Sequence, residues 1–336
     1  MIRSKIKGVG MYVPEKVITN ADLTQWMDTS DEWIQQRTGI QQRHWAESHE
    51  TNRSFAKKAA EEALEQAKLK KEEIDLIVFC TLSPDHDFPG TGCFLQRDMG
   101  LSEIPALDIR QQCSGFLYGL AVADNFIRMG QYKNVLLVGS ELHSKGLDIS
   151  TQGRDVTVLF GDGAGAAVIS AVEIKDPSQE SCILSTHLHA DGKFAEELWL
   201  PAPGMGFNGP RYTPELVEEG AIYPKMNGKT VFVNAVKRMP QVLTEALESN
   251  GLNKEDIDLY LFHQANARIN EKIAQMMGLP EEKVFNTIHK YGNTTAATIP
   301  IGMKEAERAG KLNSGDLVGC AVFGSGFTWA SAIIRW

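Results

Sequence analysis

The sequence predicts an α/β protein built from two similar halves, each with a β-sheet whose faces are covered by helices. The main observation is an internal repeat: residues 62–79 align without a gap on residues 245–262, with eleven identities in eighteen positions. The second is that helical periodicity over residues 52–68 is followed by a continuous apolar run over residues 74–80, which is typical of a buried strand. A repeated helix–strand unit of this kind indicates a duplicated fold.

The repeat continues downstream and divides the chain. Met99-Gly-Leu101 in the first copy matches Met277-Gly-Leu279 in the second. We therefore expect an N-terminal half of about residues 1–172 and a C-terminal half of about residues 173–336, a division in keeping with usual domain sizes.

The remaining elements of the first half follow in order. Residues 5–14 predict a strand that ends at a proline, and residues 29–37 predict a short capped helix. The later elements are the helix 52–68, the strand 74–80, a loop over 83–90, a helix over 93–99, a strand from 106 towards Cys113, a helix behind that cysteine and a strand over 134–139.

Two segments near the middle of the chain contain several glycines each. Residues 157–169 are rich in glycine but lack the pattern of a phosphate-binding loop, so we predict a tight turn into a buried strand. Residues 201–227 are rich in proline, glycine and polar residues and predict a long loop. Loops of that length inside a compact domain often carry function.

The composition excludes several classes of protein. The chain has 336 residues and a net charge of −9, which argues against nucleic acid as the main partner. No apolar run approaches the length of a membrane span, and no apolar segment follows the charged N-terminus, so we expect a cytoplasmic protein. Five scattered cysteines without a CxxC pair fit reduced thiols and match no familiar zinc motif.

Cys113 is the strongest single candidate for chemistry. It lies where the strand that begins at residue 106 should turn into a helix, with Ser114 and Gly115 suited to a tight turn. Unpaired N–H groups and the positive end of the helix dipole favour a thiolate, so we expect a lowered pKa for Cys113. The alternative is an inert core cysteine, which is the commoner state of a cysteine.

The repeat identifies two further candidates. Phe79 and Phe262 end equivalent strands, and the next residue is Cys80 in the first half but His263 in the second. Asn293 occupies the position in the second half that Cys113 occupies in the first, also before a predicted helix. Duplicated halves would bring Cys113, His263 and Asn293 towards one pocket. Alone, His263 could be a core histidine and Asn293 a helix cap.

Four motifs carry a family resemblance: Cys113 in its strand-to-helix turn, His263-Gln-Ala-Asn266, Gly292-Asn293-Thr-Thr-Ala-Ala-Thr-Ile-Pro300 and Phe323-Gly-Ser-Gly-Phe-Thr-Trp329. With these motifs in this order, the chain resembles 3-oxoacyl-[acyl-carrier-protein] synthase III over its whole length. The resemblance implies a thiolase-like fold, with duplicated βαβαβ halves in a layered α-β-α-β-α architecture, and a homodimer without cofactors. It implies a catalytic triad of Cys113, His263 and Asn293.

The resemblance also assigns binding residues. It implies contacts with coenzyme A by Trp33, Arg37, Arg154 and Asn266. Arg268 would lie on the rim where an acyl carrier protein docks, and the N–H groups of Cys113 and Ser325 would form an oxyanion hole. Phe88 would reach across the dimer axis and close the partner's acyl pocket.

Some positions depart from the family pattern. Gln111-Gln112 stands where small residues are common, Ser325 replaces a glycine, and Val233 stands where a carrier-contacting lysine is frequent. The residues that could replace that lysine are Lys237, Arg238 and Lys272. These departures affect the acyl donor and the docking surface, but not the type of reaction.

The predicted reaction is a decarboxylating condensation of an acyl-CoA primer, with acetyl-CoA expected, and malonyl-acyl carrier protein, through an acyl-cysteine. It would start fatty-acid synthesis. The alternatives are a related enzyme that uses unusual acyl groups in specialised lipid or polyketide synthesis, a cysteine peptidase, whose local signature is missing, and a non-catalytic scaffold.

Overall fold

Two five-stranded mixed sheets form the frame of the protein. A computed structural model describes residues 1–206 and 209–336. The first sheet has the order β1-β7-β6-β4-β5, with β1 at Ile2–Tyr12, β4 at Leu76–Cys80, β5 at Ala106–Ile109, β6 at Asn134–Glu141 and β7 at Gly163–Glu173. The second has the order β12-β11-β13-β14-β8, with β8 at Cys182–Ala190, β11 at Leu259–Phe262, β12 at Val284–Phe285, β13 at Leu317–Gly324 and β14 at Thr328–Arg335. The remaining strands pair as β2 (Val17–Thr19) with β3 (Gln42–His44) and β9 (Leu198–Trp199) with β10 (Lys225–Met226).

Helices cover both sheets and fill the space between them. The helices are α1 Asn20–Leu23, α2 Asp31–Thr38, α3 Asn52–Ala67, α4 Thr91–Asp98, α5 Gly115–Arg128, α6 Arg154–Thr157, α7 Pro214–Glu218, α8 Gly228–Ser249, α9 Ala267–Met277, α10 Ile288–Tyr291 and α11 Thr298–Arg308. Helices α5 and α11 share one apolar core with strands of both sheets, whereas α3 and α4 pack outside the first sheet and α8 and α9 outside the second. This is the predicted α-β-α-β-α layering, and it is confirmed.

The two copies of the repeat make the same local contacts. Lys71 Nζ donates to the Met99 carbonyl at 2.7 Å, and Lys254 Nζ donates to the Met277 carbonyl at the same distance. In both copies the methionine is followed by a glycine in the left-handed region, with φ of +62°. Repeated residues therefore build the same helix-to-strand connection in each half, as expected from the alignment.

The predicted elements differ from the structure mainly at their ends. Strand β1 begins at Ile2, three residues before its predicted start, and the helix predicted over residues 29–37 is α2, which Ser30 caps. The glycine-rich segment does lead into the buried strand β7. The segment predicted as a long loop over 201–227 is irregular over much of its described part, but it also contains the short elements α7 and β10, which were not predicted; residues 207–208 lie outside the described residues.

The starts of α5 and α11 meet the first sheet, and each other, through close contacts. A Cβ on Gly139, near the end of β6, would overlap the carbonyl of Ala296, and one on Gly115 would lie 3.2 Å from Cys80 Cβ and 3.4 Å from Ala296 Cβ. Residues 295–297 form a 3₁₀ turn at the start of α11. Small residues on both sides therefore bring the N-terminal ends of α5 and α11 to the same place between the sheets.

Candidate active site

Cys113 lies in the 3₁₀ turn Gln112–Ser114, which joins strand β5 to helix α5. The turn is tied to the second sheet, because Ser114 Oγ donates to the Thr328 carbonyl at 3.1 Å. The side chain of Cys113 is 7 % exposed and borders a cavity. The predicted position of the cysteine between a strand and a buried helix is therefore confirmed.

Gly324 allows strand β13 to end directly against this cysteine. A Cβ on Gly324 would lie 2.6 Å from Cys113 Cβ and 3.2 Å from its Sγ. The backbone N–H groups of Cys113 itself and of Ser325 lie within hydrogen-bonding reach of Sγ. Two backbone donors, one from the 3₁₀ turn of Cys113 and one from the residue that follows β13, therefore meet at Sγ.

Cys113, His263 and Asn293 line one cavity of about 370 Å³. They come from three separate segments of the chain, at the start of α5, after β11 and before α11. Apolar side chains, among them Phe160 and Phe323, form much of the remaining wall. The structure thus brings together the three residues that the repeat indicated.

The two ring nitrogens of His263 have different surroundings. Its Nδ1 lies 2.8 Å from Thr298 Oγ1, whereas its buried Nε2 has no hydrogen-bond partner among the described residues. Burial lowers the pKa of His263 to about 3, so the ring is neutral near pH 7. A neutral imidazole with an unoccupied nitrogen at a cavity can accept a proton or donate one.

Asn293 is fixed by backbone and side-chain bonds. Its N–H donates to the Leu159 carbonyl at 2.8 Å, and its Oδ1 accepts the Thr295 N–H at 2.9 Å. The amide oxygen is therefore occupied, and the NH₂ end remains for the cavity that Asn293 lines.

The prediction of a lowered pKa for Cys113 is wrong. Burial raises the pKa of the thiol to about 12, and the nearby Glu141 acts in the same direction, while the N–H groups of Cys113 and Ser325 lower it. The sequence identified the helix N-terminus but not the second sheet that closes over it. The site therefore holds a neutral thiol and a neutral imidazole.

The cavity opens near a group of basic and aromatic side chains. The Arg37 and Arg154 guanidinium carbons lie 4.5 and 4.7 Å from the centre of the Trp33 ring. Asn266 Nδ2 donates to the Arg37 carbonyl at 2.9 Å, and Arg268 stands beside it on the cavity wall. Arg154 donates to the Asp28 carbonyl and is the one member of this group that does not line the cavity.

Four further residues around this site were not predicted from the sequence. Lys229 lines the cavity at the start of α8, Thr298 contacts His263, and Glu141 and His143 lie buried behind the walls. Lys229 could have been suspected from its place beside a helix start. The other three depend on contacts between distant segments, which no local pattern reveals.

Other predicted residues have side chains that do not line the cavity. Lys237 and Lys272 are exposed, whereas Arg238 pairs with Asp191 at 3.4 Å and its guanidinium carbon lies 4.6 Å from the centre of the Trp329 ring. Phe88 is 83 % exposed. The Ser325 hydroxyl donates a hydrogen bond to the Leu198 carbonyl.

Residues 1–206 and 209–336 contain neither a cluster of metal-binding side chains nor a membrane-spanning helix. Within these ranges, His, Cys, Asp and Glu side chains form no group of three that could hold a metal ion. No helix in the same part of the chain is long and apolar enough to cross a bilayer.

Known proteins of one family are similar to this chain over its whole length. The family described as 3-oxoacyl-[acyl-carrier-protein (ACP)] synthase III matches residues 107–192, and its C-terminal family matches residues 247–336. The β-ketoacyl-[acyl-carrier-protein] synthase III of Caldanaerobacter subterraneus is 43 % identical over 100 % of this chain and 98 % of its own length. That of Xanthomonas euvesicatoria is 44 % identical over 100 % of this chain and 99 % of its own.

Solved structures of the same family are similar to this chain in fold. The 3-oxoacyl-[acyl-carrier-protein] synthase III of Aquifex aeolicus has a TM-score of 0.89 and 42 % identity, and the match covers 99 % of this chain and 100 % of that one. A priming β-ketosynthase from a polyketide pathway has a TM-score of 0.88 but only 29 % identity, over 99 % of this chain and 96 % of that one. The protein belongs to the 3-oxoacyl-[acyl-carrier-protein] synthase III family.

Proposed function

We propose that the enzyme condenses an acyl-CoA primer, acetyl-CoA in the first instance, with malonyl-acyl carrier protein to give a 3-oxoacyl-carrier protein, coenzyme A and carbon dioxide. This reaction would start fatty-acid synthesis. The observation that carries the proposal is that Cys113, His263 and Asn293 line one cavity in a member of this family.

The first half-reaction is acyl transfer to Cys113. Sγ attacks the thioester carbonyl while its proton moves to the free Nε2 of His263, since both groups are neutral at rest. The N–H groups of Cys113 and Ser325 stabilise the oxyanion. The intermediate then expels the coenzyme A thiolate, which takes the proton from His263 and leaves as the thiol.

The second half-reaction forms the carbon–carbon bond. The malonyl thioester loses carbon dioxide, and the electron pair of the broken bond becomes an enolate. Hydrogen bonds from His263 Nε2–H and from the NH₂ group of Asn293 stabilise the enolate oxygen. The enolate carbon attacks the acyl carbonyl, the Cys113–acyl bond breaks, and the released Sγ thiolate takes a proton from solvent water.

Thr298 supports both tautomers of the neutral His263 ring that the reaction requires. Its Oγ1 lies 2.8 Å from His263 Nδ1 and 3.0 Å from the Thr295 carbonyl. When the hydroxyl donates to that carbonyl, its oxygen accepts Nδ1–H and leaves Nε2 as a base. When the hydroxyl donates to Nδ1, the proton of the neutral ring lies on Nε2. Thr298 is therefore a positioning residue.

The basic entrance suits the two anionic substrates. Trp33 offers an aromatic face, and Arg37, Arg154 and Lys229 offer charge to the phosphates of coenzyme A, with Asn266 at the cavity wall. The acyl carrier protein would dock on the exposed rim, with Arg268, Lys237 and Lys272 as contacts. Arg238 is a weaker candidate because Asp191 and Trp329 already engage it.

We further propose a homodimer of two-half subunits. The halves would divide near residue 172, because the first large sheet takes its strands from residues 2–173 and the second from residues 182–335. Strand β5 is an edge of the first sheet and exposes Leu107, and the exposed ring of Phe88 lies on the loop just before α4. An unpaired edge beside exposed apolar side chains fits pairing with a second copy. Phe88 would then close the partner's acyl pocket.

The use of unusual acyl groups in specialised synthesis is not favoured. Identity to relatives named β-ketoacyl-[acyl-carrier-protein] synthase III is 43–44 %, against 29 % to the polyketide priming enzyme. The family membership likewise disfavours a cysteine peptidase.

Separate assays of the half-reactions test the proposal. Cys113→Ala should form no acyl-enzyme by mass but should still release carbon dioxide from malonyl-carrier protein. His263→Ala and Asn293→Ala should each lose decarboxylation by roughly a hundredfold or more, since one oxyanion donor contributes about 2.7–4 kcal/mol. Both should still form some acyl-enzyme, but His263→Ala should form it more slowly because it lacks the proton acceptor of the first half-reaction. If folded Cys113→Ala releases no carbon dioxide, the division of roles is wrong.

A further inference from the structure

His143 is a second buried histidine close to the site, and the proposed reaction does not use it. It follows strand β6 and is 8 % exposed. Its N–H donates to Asp162 Oδ1 at 2.6 Å, which anchors the backbone. Its Nε2 lies 2.7 Å from Thr295 Oγ1, and its ring centre lies 4.6 Å from that of Phe160.

Thr295 is the residue that determines where the side chain of Asn293 points. Its N–H holds Asn293 Oδ1 at 2.9 Å, so a rotation of this peptide would release the amide. Thr295 has φ of +49°, in the left-handed region that β-branched residues avoid. Such a conformation persists only where the surroundings hold it. The bond from His143 is the contact that fixes the Thr295 hydroxyl.

His143 also supports the other side of Asn293. Phe160, whose ring His143 contacts, forms an isolated parallel bridge with Asn293 and lines the cavity. One imidazole therefore packs against both neighbours of Asn293, by a hydrogen bond on one side and by ring contact on the other. Burial lowers the pKa of His143 to about 3, so this contact stays neutral through the working pH range.

We infer that His143 is a positioning residue for decarboxylation: through Thr295 and Phe160 it holds the NH₂ group of Asn293 towards the enolate oxygen. This inference rests on the proposed role of Asn293 in the condensation. It assigns His143 no contact with substrate and no part in the transfer of the acyl group to Cys113.

Substitution of His143 should therefore separate the two half-reactions. His143→Leu removes the hydrogen bond at similar volume and should lower release of carbon dioxide from malonyl-carrier protein by about 10- to 100-fold, the effect of a small misplacement. Acyl-enzyme formation from acetyl-CoA should stay within about threefold, because that step does not use the Asn293 amide. His143→Gln, whose Nε2 can take the place of the imidazole Nε2, should restore most of the decarboxylation.

Matched variants separate positioning from stability. Thr295→Val removes the same hydrogen bond from the other side and should reproduce His143→Leu, even if His143→Leu folds poorly. Ser331→Ala loses a buried bond of 2.7 Å to the Val242 carbonyl, away from the cavity, and should lower the melting temperature without separating the half-reactions.

Two results would overturn the inference. One is a parallel fall of both half-reactions in His143→Leu and Thr295→Val, as expected of a purely structural role. The other is unchanged decarboxylation in both variants. Asn293→Ala serves as the reference: if it decarboxylates normally, the proposed function of Asn293 fails rather than the contact between His143 and Thr295.

Discussion

Replacing Gly324 by alanine should move Cys113 without altering any group that takes part in the reaction. The new Cβ would lie 2.6 Å from Cys113 Cβ, whereas ordinary contacts begin at about 3.4 Å, so one of the two segments must retreat by about 0.8 Å. Displacements near 1 Å cost about 100-fold in rate. We expect acyl-enzyme formation to slow by roughly that factor. Overpacking should lower the free energy of unfolding by about 1–3 kcal/mol.

Intact-protein mass measured at intervals after mixing with acetyl-CoA gives the rate of acylation. Gly302→Ala is the matched control, because its new Cβ would meet only Leu261 Cδ2, at an ordinary 3.6 Å. In the interior of α11 that change should raise stability by about 0.5–1 kcal/mol and leave acylation intact. If Gly324→Ala acylates within about threefold of the wild-type rate, the close approach does not position the thiol.

Three more outcomes follow from the structure. With a pKa of about 12, Cys113 should be alkylated by iodoacetamide at a rate that climbs about tenfold per pH unit from pH 6 to 10; a plateau near pH 7 would indicate the lowered pKa instead. Burial raises the pKa of Glu141 from 4.5 to about 7. Between pH 4.5 and 7 the folded protein therefore keeps a proton on Glu141 that the unfolded chain releases, and the free energy of unfolding falls as pH rises. Relative to Glu141→Gln, the wild type should therefore lose about 3 kcal/mol from pH 4.5 to 7 in denaturant titrations, and a constant difference would contradict this. Phe88→Thr should admit longer acyl-CoA primers, each added methylene contributing up to about 0.8 kcal/mol; unchanged chain-length preference in a dimeric variant would refute the role of Phe88.

Local sequence patterns predicted most of the fold because the internal repeat presents the same helix–strand pattern twice in the chain. An alignment of the sequence with itself located equivalent strand ends in both halves. The matching contacts of Lys71 and Lys254 in the structure agree with that alignment. The division after residue 172 stays a prediction. The short helix α7 was missed although Thr213 caps it and a proline opens it, both recognised signals of a helix start.

The site was predictable only as far as each residue has its own local pattern. A strand end or a helix start lies next to each of Cys113, His263 and Asn293. The internal repeat then indicated that these three positions lie close together. The hydrogen bond between Thr298 and His263 joins residues 35 positions apart, and the one between His143 and Thr295 joins residues 152 apart. Such contacts, like the burial that raises the pKa of Cys113, arise only when the sheets close on each other.

The close glycine contacts between residues 113–139 and residues 293–324 also restrict how this enzyme can be recombined with its relatives. At Gly139 and Gly324, backbone meets the opposite segment with no side chain to absorb a mismatch. A hybrid that takes residues 113–139 from one parent and residues 293–324 from another would inherit any difference in backbone path directly at the thiol and at Asn293. Productive crossovers should therefore keep both segments from the same parent and exchange the outer helices, the entrance and the 201–227 segment instead.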